Sequence, residues 1–559
     1  MNAMHVLSAA EMQACDRATT ERFGIPSIQL MRTASSAVAA FARQQFPRAR
    51  RVTVLCGKGN NGGDGMMAAR LLADAGLEVT TLLFGAPEQL TGDAATAWSE
   101  LNSLKHGPIH RVRVHVVTNA RTLAEHNEAL NTDLIVDAVL GTGFKPPLKG
   151  LALDALKWMQ RVRAPVLAPI LAPILSIDLP SGWPADETSA TVAGPVFPAD
   201  AVITFTAPKL AHVFGQLTRR WDQPVVVAPI GSPDAAIVSA LKIDWAGSSL
   251  ALAQAPRAAS ANKGNFGHVL VVGGTFGTSG GKAGAPAMTA LAAMRAGAGL
   301  VTAAVPAPAL QVVASFAPEL MTWPLLATRQ GQIAAKNLEK KRIAELIAGK
   351  SVLALGPGLG QGAEVAKFVA GLLGATKIPA VVDADALNIL AAKPALIKKS
   401  AKGRTLVLTP HPGEMARLLG VTVTEVQAGR LETARDFAQR MGVTLVLKGA
   451  RTLIAHPDGR VAVNTSGNPG MAKGGSGDLL TGMISGLLAQ FPHDPAQAVE
   501  AAVYLHGLAA DLAVRDGDEH TLLPTDSLAQ LARAFQSRAH DFDEDGKNGY
   551  VWLQGHSMQ

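Results

Sequence analysis

The stretch Arg51–Gly76, RVTVLCGKGNNGGDGMMAARLLADAG, joins an apolar run to a helical pattern through a glycine-rich loop. The run Arg51–Cys56 is typical of a buried strand, and the segment after the loop predicts a helix. Between them, GNNGGDG (Gly59–Gly65) contains four glycines, which allow backbone N–H groups to approach an anion closely. The asparagines and Asp64 add side-chain oxygens that a bare phosphate does not need. The stretch therefore predicts a strand–loop–helix unit of an α/β domain, with a ligand at the loop.

Strand-like runs alternate with helical patterns after this stretch. Up to about residue 230 the chain contains six further runs: EVTTLLF, RVHVV, LIVDAVLG, ILSID, AVITF and PVVVAPI. Such alternation predicts a parallel sheet with helices on both faces. A linker-like run (253–267) precedes a second alternating series, which begins at HVLVVGG (268–274). We therefore predict an amino-terminal α/β domain over residues 1–235, a linker over 236–260, a second α/β domain over 261–538 and a disordered tail over 539–559.

The composition is typical of α/β enzymes. Hydrophobic residues make up 48% of the 559-residue chain, aromatic residues only 4%, and there are 55 glycines, which favours aliphatic cores joined by tight turns. The net charge of +7 comes from scattered residues rather than from a basic tract, which argues against nucleic-acid binding. The two cysteines, Cys15 and Cys56, give neither a disulfide framework nor a metal-ligand spacing. We therefore expect a reducing compartment, the cytoplasm.

Neither a membrane span nor a signal peptide is predicted. The most apolar segment, Ala164–Ile177, is too short to span a bilayer and carries three prolines that would break a helix. It contains a tandem LAPI repeat (167–174), which indicates a small local duplication ahead of a strand. The amino terminus has no basic region followed by an apolar stretch. We expect no membrane association.

A first candidate site combines three strand ends. GKGNNG (Gly57–Gly62) formally matches the dinucleotide fingerprint G-x-G-x-x-G, but the next strand carries its only acid, Glu78, at the wrong end, which disfavours a classical dehydrogenase. A single Asp after a strand is ordinarily a turn or cap residue. Three such loops together favour a site for a hard cation and a polyhydroxylated ligand. The candidate oxygen donors are Asp64, Asp137, Asp178, Asn61 and Ser181.

The second candidate site is GNPGMAKGGSGDLLTG (Gly467–Gly482). Its glycines lead into an apolar-periodic helix, so Gly475, Ser476 and Gly477 would present free N–H groups as an anion hole. Asp478 follows on the first turn of that helix.

A Walker loop is the competing interpretation of the second domain's glycine-rich segments. It fails at GTFGTSGGKAG (274–284), because Ala283 replaces the Ser/Thr that would bind Mg²⁺ and Phe276 replaces the first glycine. That segment is instead predicted to form a flexible lip over a substrate. His411, held between two prolines at a strand end, is a candidate ligand contact.

The first half resembles the amino-terminal domain of bifunctional NAD(P)H-hydrate repair enzymes, which epimerises the hydrated nicotinamide ring. The resemblance rests on GNNGGDG, DAVLGTG, DLPSG and FTAPK in this order. It implies a Rossmann-like three-layer αβα fold, with Asp178 as a catalytic residue that also binds the substrate. It implies K⁺ bound by Asn61, Asp137 and Ser181. The other implied substrate-binding residues are Asn60, Asn61, Gly62, Gly63, Asp64, Gly141, Thr142, Gly143, Phe144, Lys145, Pro146 and Pro147.

The second half resembles the ribokinase-like dehydratase domain of the same family. GGSGD alone would allow any ribokinase-type kinase, but GPGLG (356–360), DADALN (383–388) and TPHPGE (409–414) in order narrow the match. The resemblance implies Asp478 as the catalytic base. The implied contacts to the hydrated dinucleotide are Ala285, Gly358, His411 and Asp478. The implied contacts to the adenine nucleotide are Lys448, Gly449, Ala450, Arg451, Thr452 and Gly477.

These resemblances imply a two-step repair reaction. The first domain would interconvert the R and S forms of the hydrates of NADH and NADPH, NADHX and NADPHX. The second would use ADP or ATP to phosphorylate the 6-hydroxyl of the S form and restore the ring, releasing AMP (from ADP) and phosphate. Mg²⁺ would accompany the nucleotide, organised through Glu414 and Asp383. We expect a homo-oligomer.

Two other functions remain open at this point. One is a vitamin-precursor or sugar kinase fused to a non-catalytic nucleotide-binding domain. The other makes the first half only a ligand-binding or protein-docking module.

Overall fold

The computed structural model describes residues 3–104, 112–162, 172–277, 280–539 and 549–555. They form two compact units. The amino-terminal domain comprises Met4–Leu241 together with Arg538–Gln559, and the carboxy-terminal domain comprises Lys242–Ser537 with the first residues of the chain. The predicted two-domain α/β architecture is confirmed. Neither the first LAPI copy of the tandem repeat nor the acidic centre of the tail (541–548) lies within the described residues.

The amino-terminal domain is built on a parallel sheet. Its strands are β1 (Arg51–Cys56), β2 (Glu78–Phe84), β3 (Val112–Val117), β4 (Leu134–Ala138), β5 (Ile174–Ile177), β6 (Ala201–Phe205) and β7 (Val225–Ala228). Their spatial order is β7-β6-β5-β4-β1-β2-β3, and every one of these neighbours pairs in parallel. The strand order reverses direction at β1, which lies between β2 and β4. Ligands of open α/β sheets bind at such a point, beyond the carboxyl ends of the strands.

Helices accompany this sheet. They are α1 (Ala9–Glu21), α2 (Ser27–Gln45), α3 (Asn60–Asp74), α4 (Gly92–Ser103), α5 (Ala120–Ala124), α6 (Gly150–Val162) and α7 (Leu210–Phe214). Two glycines of the opening stretch are required for packing at the start of α3. A Cβ at Gly62 would lie 1.9 Å from the carbonyl oxygen of Gly57, and one at Gly65 would lie 2.5 Å from Cβ of Ala138. The glycine-rich loop therefore lets α3 begin directly against β1 and β4.

The carboxy-terminal domain contains a second, larger sheet. Its strands are β8 (Ile243–Trp245), β9 (His268–Val272), β12 (Leu300–Pro306), β13 (Met321–Leu325), β14 (Val352–Leu355), β15 (Ala380–Val382), β16 (Leu406–Leu408), β17 (Thr444–Leu447), β18 (Leu453–Ala455) and β19 (Val461–Val463), with β10 (Phe276–Gly277) and β11 (Gly280–Gly281) as a separate hairpin. The order is β13-β12-β9-β14-β15-β16-β17-β18-β19-β8. Only the β17–β18 and β18–β19 pairs of this sheet are antiparallel.

The helices of the carboxy-terminal domain include one long buried pair, α18 and α19. The set is α8 (Leu250–Ala253), α9 (Gly284–Arg295), α10 (Leu310–Ala314), α11 (Lys340–Ile347), α12 (Ala363–Ala375), α13 (Asp385–Ala391), α14 (Ala395–Ala401), α15 (Pro412–Leu419), α16 (Val423–Ala428), α17 (Arg430–Met441), α18 (Ser476–Gln490), α19 (Pro495–Arg515), α20 (Pro524–Ala529) and α21 (Leu531–Gln536). Across the described ranges, no helix is both long and apolar enough to cross a membrane.

The structure differs from the sequence-based expectation at both ends of the second domain. The predicted linker contains β8, which pairs in parallel with β19, so the connection is shorter than predicted. The predicted disordered tail contains β20 (Val551–Gln554), which pairs antiparallel with β7 in the amino-terminal sheet. Trp552 is buried there, with its ring 6.1 Å from that of Phe41. The expectation of disorder is wrong for this segment, because its apolar residues bury against a sheet distant in sequence.

Candidate active site

A cavity of about 760 Å³ opens in the amino-terminal domain. It lies at the carboxyl ends of β1 and β4, where the strand order predicts a ligand. Eight of the predicted substrate-binding residues line it: Asn60, Asn61, Asp64, Gly141, Thr142, Gly143, Phe144 and Asp178. We call it the amino-terminal cavity.

Five predicted residues do not line this cavity. Gly62 and Gly63 are buried behind it, and a Cβ on Gly63 would lie 2.7 Å from Cε of Met31, so packing accounts for the absence of a side chain there. The remaining three, Lys145, Pro146 and Pro147, are exposed on the following loop.

Asp178 is held as a fixed carboxylate in the cavity wall. Its backbone is left-handed, with φ of 64°. One carboxylate oxygen accepts hydrogen bonds from the amide and the hydroxyl of Thr142, and the other accepts from the hydroxyl of Thr204 at 2.9 Å. The Lys209 ammonium lies 3.0 Å from that second oxygen. Burial would raise the pKa of Asp178, but Lys209, His212 and these hydrogen bonds outweigh it and lower the pKa below the ordinary range.

Asp137 and Ser181 form a second, fully buried group behind the cavity. The Ser181 hydroxyl donates to Asp137 at 2.6 Å, and the Ser181 amide donates to the other carboxylate oxygen at 2.8 Å. Burial raises the pKa of Asp137 to about 6, although these hydrogen bonds oppose the shift. The amide of Leu140 in turn donates to the Ser181 hydroxyl at 2.8 Å. The loops after β4 and β5 are therefore joined through this pair.

The side-chain amide of Asn61 is buried without a partner. Neither its oxygen nor its nitrogen has a hydrogen-bond partner within the described residues. It lies against Gly141, where a Cβ would be 3.1 Å from Cγ of Asn61 and 2.9 Å from the Asp178 carboxylate. A buried unpaired amide costs about 1–3 kcal/mol, so this position favours a bound ligand. No group of three or more His, Cys, Asp or Glu residues in the described ranges is arranged to hold a metal.

The carboxy-terminal domain brings its predicted residues together at the amino terminus of α18. Gly475 caps this helix with φ of 99°, a conformation that favours glycine. Asp478 lies on the first turn and is half-buried, and its backbone carbonyl accepts from the hydroxyl of Thr289 at 3.0 Å. Burial, with the nearby Asp383 carboxylate, raises the pKa of Asp478 to about 7, although Lys448 and other cations oppose the shift. A carboxyl with this pKa suits a general base near neutral pH.

Lys448 connects two buried carboxylates beside this helix. Its ammonium lies 2.9 Å from Asp383 and 3.8 Å from Glu414. A Cβ on Gly477 would lie 3.4 Å from the same ammonium and 3.5 Å from Asp383. Burial disfavours the charged ammonium, but the two carboxylates outweigh it and raise the pKa of Lys448. Asp383 and Glu414, the residues expected to organise Mg²⁺, both face Lys448. The hydroxyl of Thr481 donates to Asp383 at 2.8 Å.

Gly358 follows β14 and His411 follows β16, on the two sides of β15 in this sheet. The ring of His411 caps α15 by accepting from the amide of Gly413 at 3.0 Å, and half of its side chain remains exposed. Burial, followed by the Lys448 charge, lowers the pKa of His411. Gly358 has φ of 66°, and a Cβ there would lie 3.3 Å from that of Ala285. The structure therefore places the predicted contacts Gly358 and Ala285 side by side.

The predicted nucleotide loop, Lys448–Thr452, is only partly directed outward. Gly449 and Ala450 are exposed. The guanidinium of Arg451 instead donates to the carbonyl of Thr465 at 3.0 Å, and burial lowers its pKa to about 10. The Thr452 hydroxyl donates to the carbonyl of Gly449 at 2.9 Å. The loop's backbone, rather than the Arg451 side chain, is available to a nucleotide.

Three charged residues of these sites were not predicted as site residues from the sequence: Lys209, Lys282 and Asp385. Lys209 is the last residue of FTAPK, and a lysine completing a motif at a strand end is a signal that could have identified it. Lys282 lies 3.2 Å from Asp385, whose carboxylate also accepts from the amide of Gly360 at 2.8 Å. Their contacts are distant in sequence, so no local pattern indicates them.

The chain matches two protein families along its length. The family described as NAD(P)H-hydrate dehydratase matches residues 269–533, and the family described as YjeF-related protein N-terminus matches residues 27–211. A bifunctional NAD(P)H-hydrate repair enzyme of Moorella thermoacetica is 39% identical over 94% of this chain and 95% of its own length. That of Escherichia coli is 35% identical over 96% and 95%, respectively.

A solved structure also aligns with about half of this chain. The ADP/ATP-dependent NAD(P)H-hydrate dehydratase of Bacillus subtilis, crystallised with ATP and Mg²⁺, is 34% identical over 51% of this chain and 96% of its own, with a TM-score of 0.44. These two relatives cover both domains, at 39% and 35% identity. The chain therefore belongs to the family of bifunctional NAD(P)H-hydrate repair enzymes.

Proposed function

We propose that the two domains carry out the two steps of nicotinamide-nucleotide repair. The amino-terminal domain interconverts the R and S forms of NADHX and NADPHX. The carboxy-terminal domain consumes the S form with ADP or ATP, releasing AMP, when ADP is used, and phosphate. The observation that carries this proposal is the position of Asp478 on the first turn of α18, beside Lys448 and after the glycine cap at Gly475.

Asp478 acts as the base of the second step. Its raised pKa lets the ionised form, present above about pH 7, take the proton of the 6-hydroxyl as that oxygen attacks the terminal phosphoryl group. The N–H groups at the start of α18 stabilise charge on the phosphoryl oxygens. Phosphorylation turns a poor leaving group into a good one, and the ring nitrogen then expels phosphate.

The nucleotide binds along the backbone of Lys448–Thr452 and at Gly477. The Lys448 ammonium, already placed near Gly477, would contact a phosphate and would then have to share its charge with Asp383. Mg²⁺ bound with the nucleotide would offset the negative charge of its phosphates. Gly358, His411 and Ala285 border the hydrated ring.

K⁺ fits the first domain at Asn61, Asp137 and Ser181. These residues offer amide, carboxylate and hydroxyl oxygens, which are the ligands that hard cations prefer. The buried amide of Asn61 has no hydrogen-bond partner within the described residues, so its oxygen could coordinate K⁺. K⁺ would offset the Asp137 charge and fix the loops after β4 and β5.

We also propose a cellular location, a set of partners and an oligomeric state. A cytoplasmic location is supported by two free cysteines, Cys15 and Cys56, both buried. The proposed partners are the hydrated dinucleotides and an adenine nucleotide, without nucleic acid or membrane. Sedimentation would test the proposed homo-oligomer.

The test of the function uses the full chain with an equal mixture of R and S NADHX, ADP, Mg²⁺ and K⁺. Complete return of the absorbance of the reduced ring, with one phosphate released per ring, is the expected result. Return of only half supports the second step alone. A phosphorylated ring that accumulates would indicate a kinase instead, and no return would contradict the proposal.

A further inference from the structure

Asp64 shares the amino-terminal cavity with other acids. It lies on α3, just after the first turn. Three further aspartates line the same cavity: Asp16 on α1, Asp93 on α4 and Asp178 after β5. The basic residues that line it are Arg17, Lys58 and Lys209. Two carboxyl groups with different surroundings in one cavity are the usual basis for separate acid and anion roles.

The hydrogen bonding of Asp64 and Asp178 differs sharply. Both oxygens of Asp178 have donors, from Thr142, Thr204 and Lys209. A carboxylate held in this way is a poor proton acceptor, because protonation would break several contacts. Asp64, by contrast, makes no hydrogen bond or ion pair with any described residue, and its carboxyl group borders the cavity.

The charges around Asp64 favour its protonated form. Burial raises its pKa well above the ordinary range, and the carboxylates of Asp178, Asp16 and Asp93 raise it further, while Lys209 partly opposes them. The shift for Asp178 has the opposite sign. The surroundings therefore favour the protonated form of Asp64 and the ionised form of Asp178.

We propose that Asp64 is the proton donor and acceptor of the epimerisation, while Asp178 stays ionised and stabilises a cationic ring. This proposal rests on the proposed epimerase function of the amino-terminal domain. It assigns the proton carrier to a residue other than Asp178.

The reaction balances with water alone. The Asp64 O–H bond breaks as its proton passes to the 6-hydroxyl oxygen, and the C6–O bond breaks with both electrons remaining on the departing water. The N1 lone pair forms the N1=C6 bond, which gives an iminium cation next to the Asp178 carboxylate. The ring turns about its glycosidic bond and presents its other face. Water then adds to C6, and its proton returns to the Asp64 carboxylate, which restores the enzyme.

The experiment uses the full chain with separately purified R and S NADHX, excess ADP, Mg²⁺ and K⁺. Recovery of the reduced ring from the R form requires both steps, whereas recovery from the S form requires only the second. We expect Asp64→Asn to restore the S form at the wild-type rate and to slow recovery from the R form by at least about 100-fold, the usual loss of a general acid. Wild-type enzyme that restores S but never R would overturn the epimerase function itself.

Three further measurements separate catalysis from structure. Asp64→Glu keeps the acid and should recover at least a tenth of the R-form rate; equal loss in the Glu and Asn variants would overturn the proposal. Wild-type R-form recovery, measured with saturating dehydration, should fall as pH rises through the pKa of Asp64. Asp93→Asn removes a neighbouring negative charge and should therefore lower the pKa of Asp64. The fall in R-form recovery should then occur at lower pH. An R-form rate in Asp64→Asn equal to that of the wild type would also overturn the proposal.

Discussion

The Lys448 ammonium lies 2.9 Å from the Asp383 carboxylate, in a pair whose carboxylate side chain is only 2% exposed. Removing one member of a buried pair leaves a desolvated charge and costs about 3–5 kcal/mol. Glu414, 3.8 Å from the same ammonium, offers partial compensation. The pair thus holds Lys448 beside the start of α18. Loss of either charge should lower the free energy of unfolding.

Asp383→Asn should lower the free energy of unfolding by about 2–3 kcal/mol, because Lys448 keeps only its longer contact to Glu414. Denaturation of the full chain followed by circular dichroism measures this change. The matched control is Asp458→Asn, which breaks a 2.8 Å pair with Arg460 on the surface and should cost less than about 1 kcal/mol. Equal losses of unfolding free energy in both variants would show that the buried pair stabilises the protein no more than the surface pair does.

Dehydration should depend on pH through Asp478. Burial and the Asp383 carboxylate raise the pKa of Asp478 to about 7, so the base is protonated below that pH and ionised above it. With S NADHX as substrate, kcat/KM should rise about tenfold per pH unit below pH 7 and level off above it. A profile that is flat between pH 5.5 and 8 would contradict the role of an ionised Asp478.

K⁺ should stabilise the amino-terminal domain independently of turnover. At a concentration tenfold above its Kd, a ligand of the folded state adds about 1.4 kcal/mol. We expect K⁺ to raise the thermal unfolding temperature more than an equal concentration of N-methylglucamine. Asp137→Asn should remove this difference. The control is Asp133→Asn, which lies just before the same strand and pairs with Arg51 at 3.0 Å. This variant should keep the K⁺-dependent rise in unfolding temperature. A K⁺ effect that survives in Asp137→Asn would contradict the assigned site.

The packing of α18 against α9 should not tolerate a side chain at Gly482. A Cβ there would lie 2.2 Å from the carbonyl oxygen of Thr289, which also donates its hydroxyl to Asp478. Gly482→Ala should destabilise the protein by about 1–3 kcal/mol through overpacking, measured by the same denaturation. Gly374→Ala is the matched control in helix α12, because nothing lies within 4 Å of its built Cβ, and it should be neutral or stabilising by up to about 1 kcal/mol. An unchanged free energy of unfolding in Gly482→Ala would show that α9 and α18 can move apart to accommodate the added methyl group.

Local patterns in the sequence predict much of this structure. The alternation of apolar runs and helical segments predicts both sheets, and the glycine-rich segments before α3 and α18 mark the two sites. The left-handed cap at Gly475 and the crowded position at Gly62 explain in physical terms why those residues are glycines.

Contacts between distant segments are what local patterns leave out. The tail was expected to be disordered because it has no periodicity, yet β20 pairs with β7. Lys209 reaches Asp178 only once β5 and β6 lie side by side. The guanidinium of Arg451, a predicted nucleotide contact, donates to the carbonyl of Thr465, which is 14 residues away in the sequence. Burial and long-range pairing decide each of these cases.

The role of Asp478 is tested most directly by the turnover of S NADHX by Asp478→Asn in the presence of ADP and Mg²⁺. We predict that the variant binds ADP with the wild-type Kd, measured by calorimetry, and restores the reduced ring at least about 100-fold more slowly. Restoration at the wild-type rate would contradict the assignment of Asp478 as the base that delivers the 6-hydroxyl to the phosphoryl group.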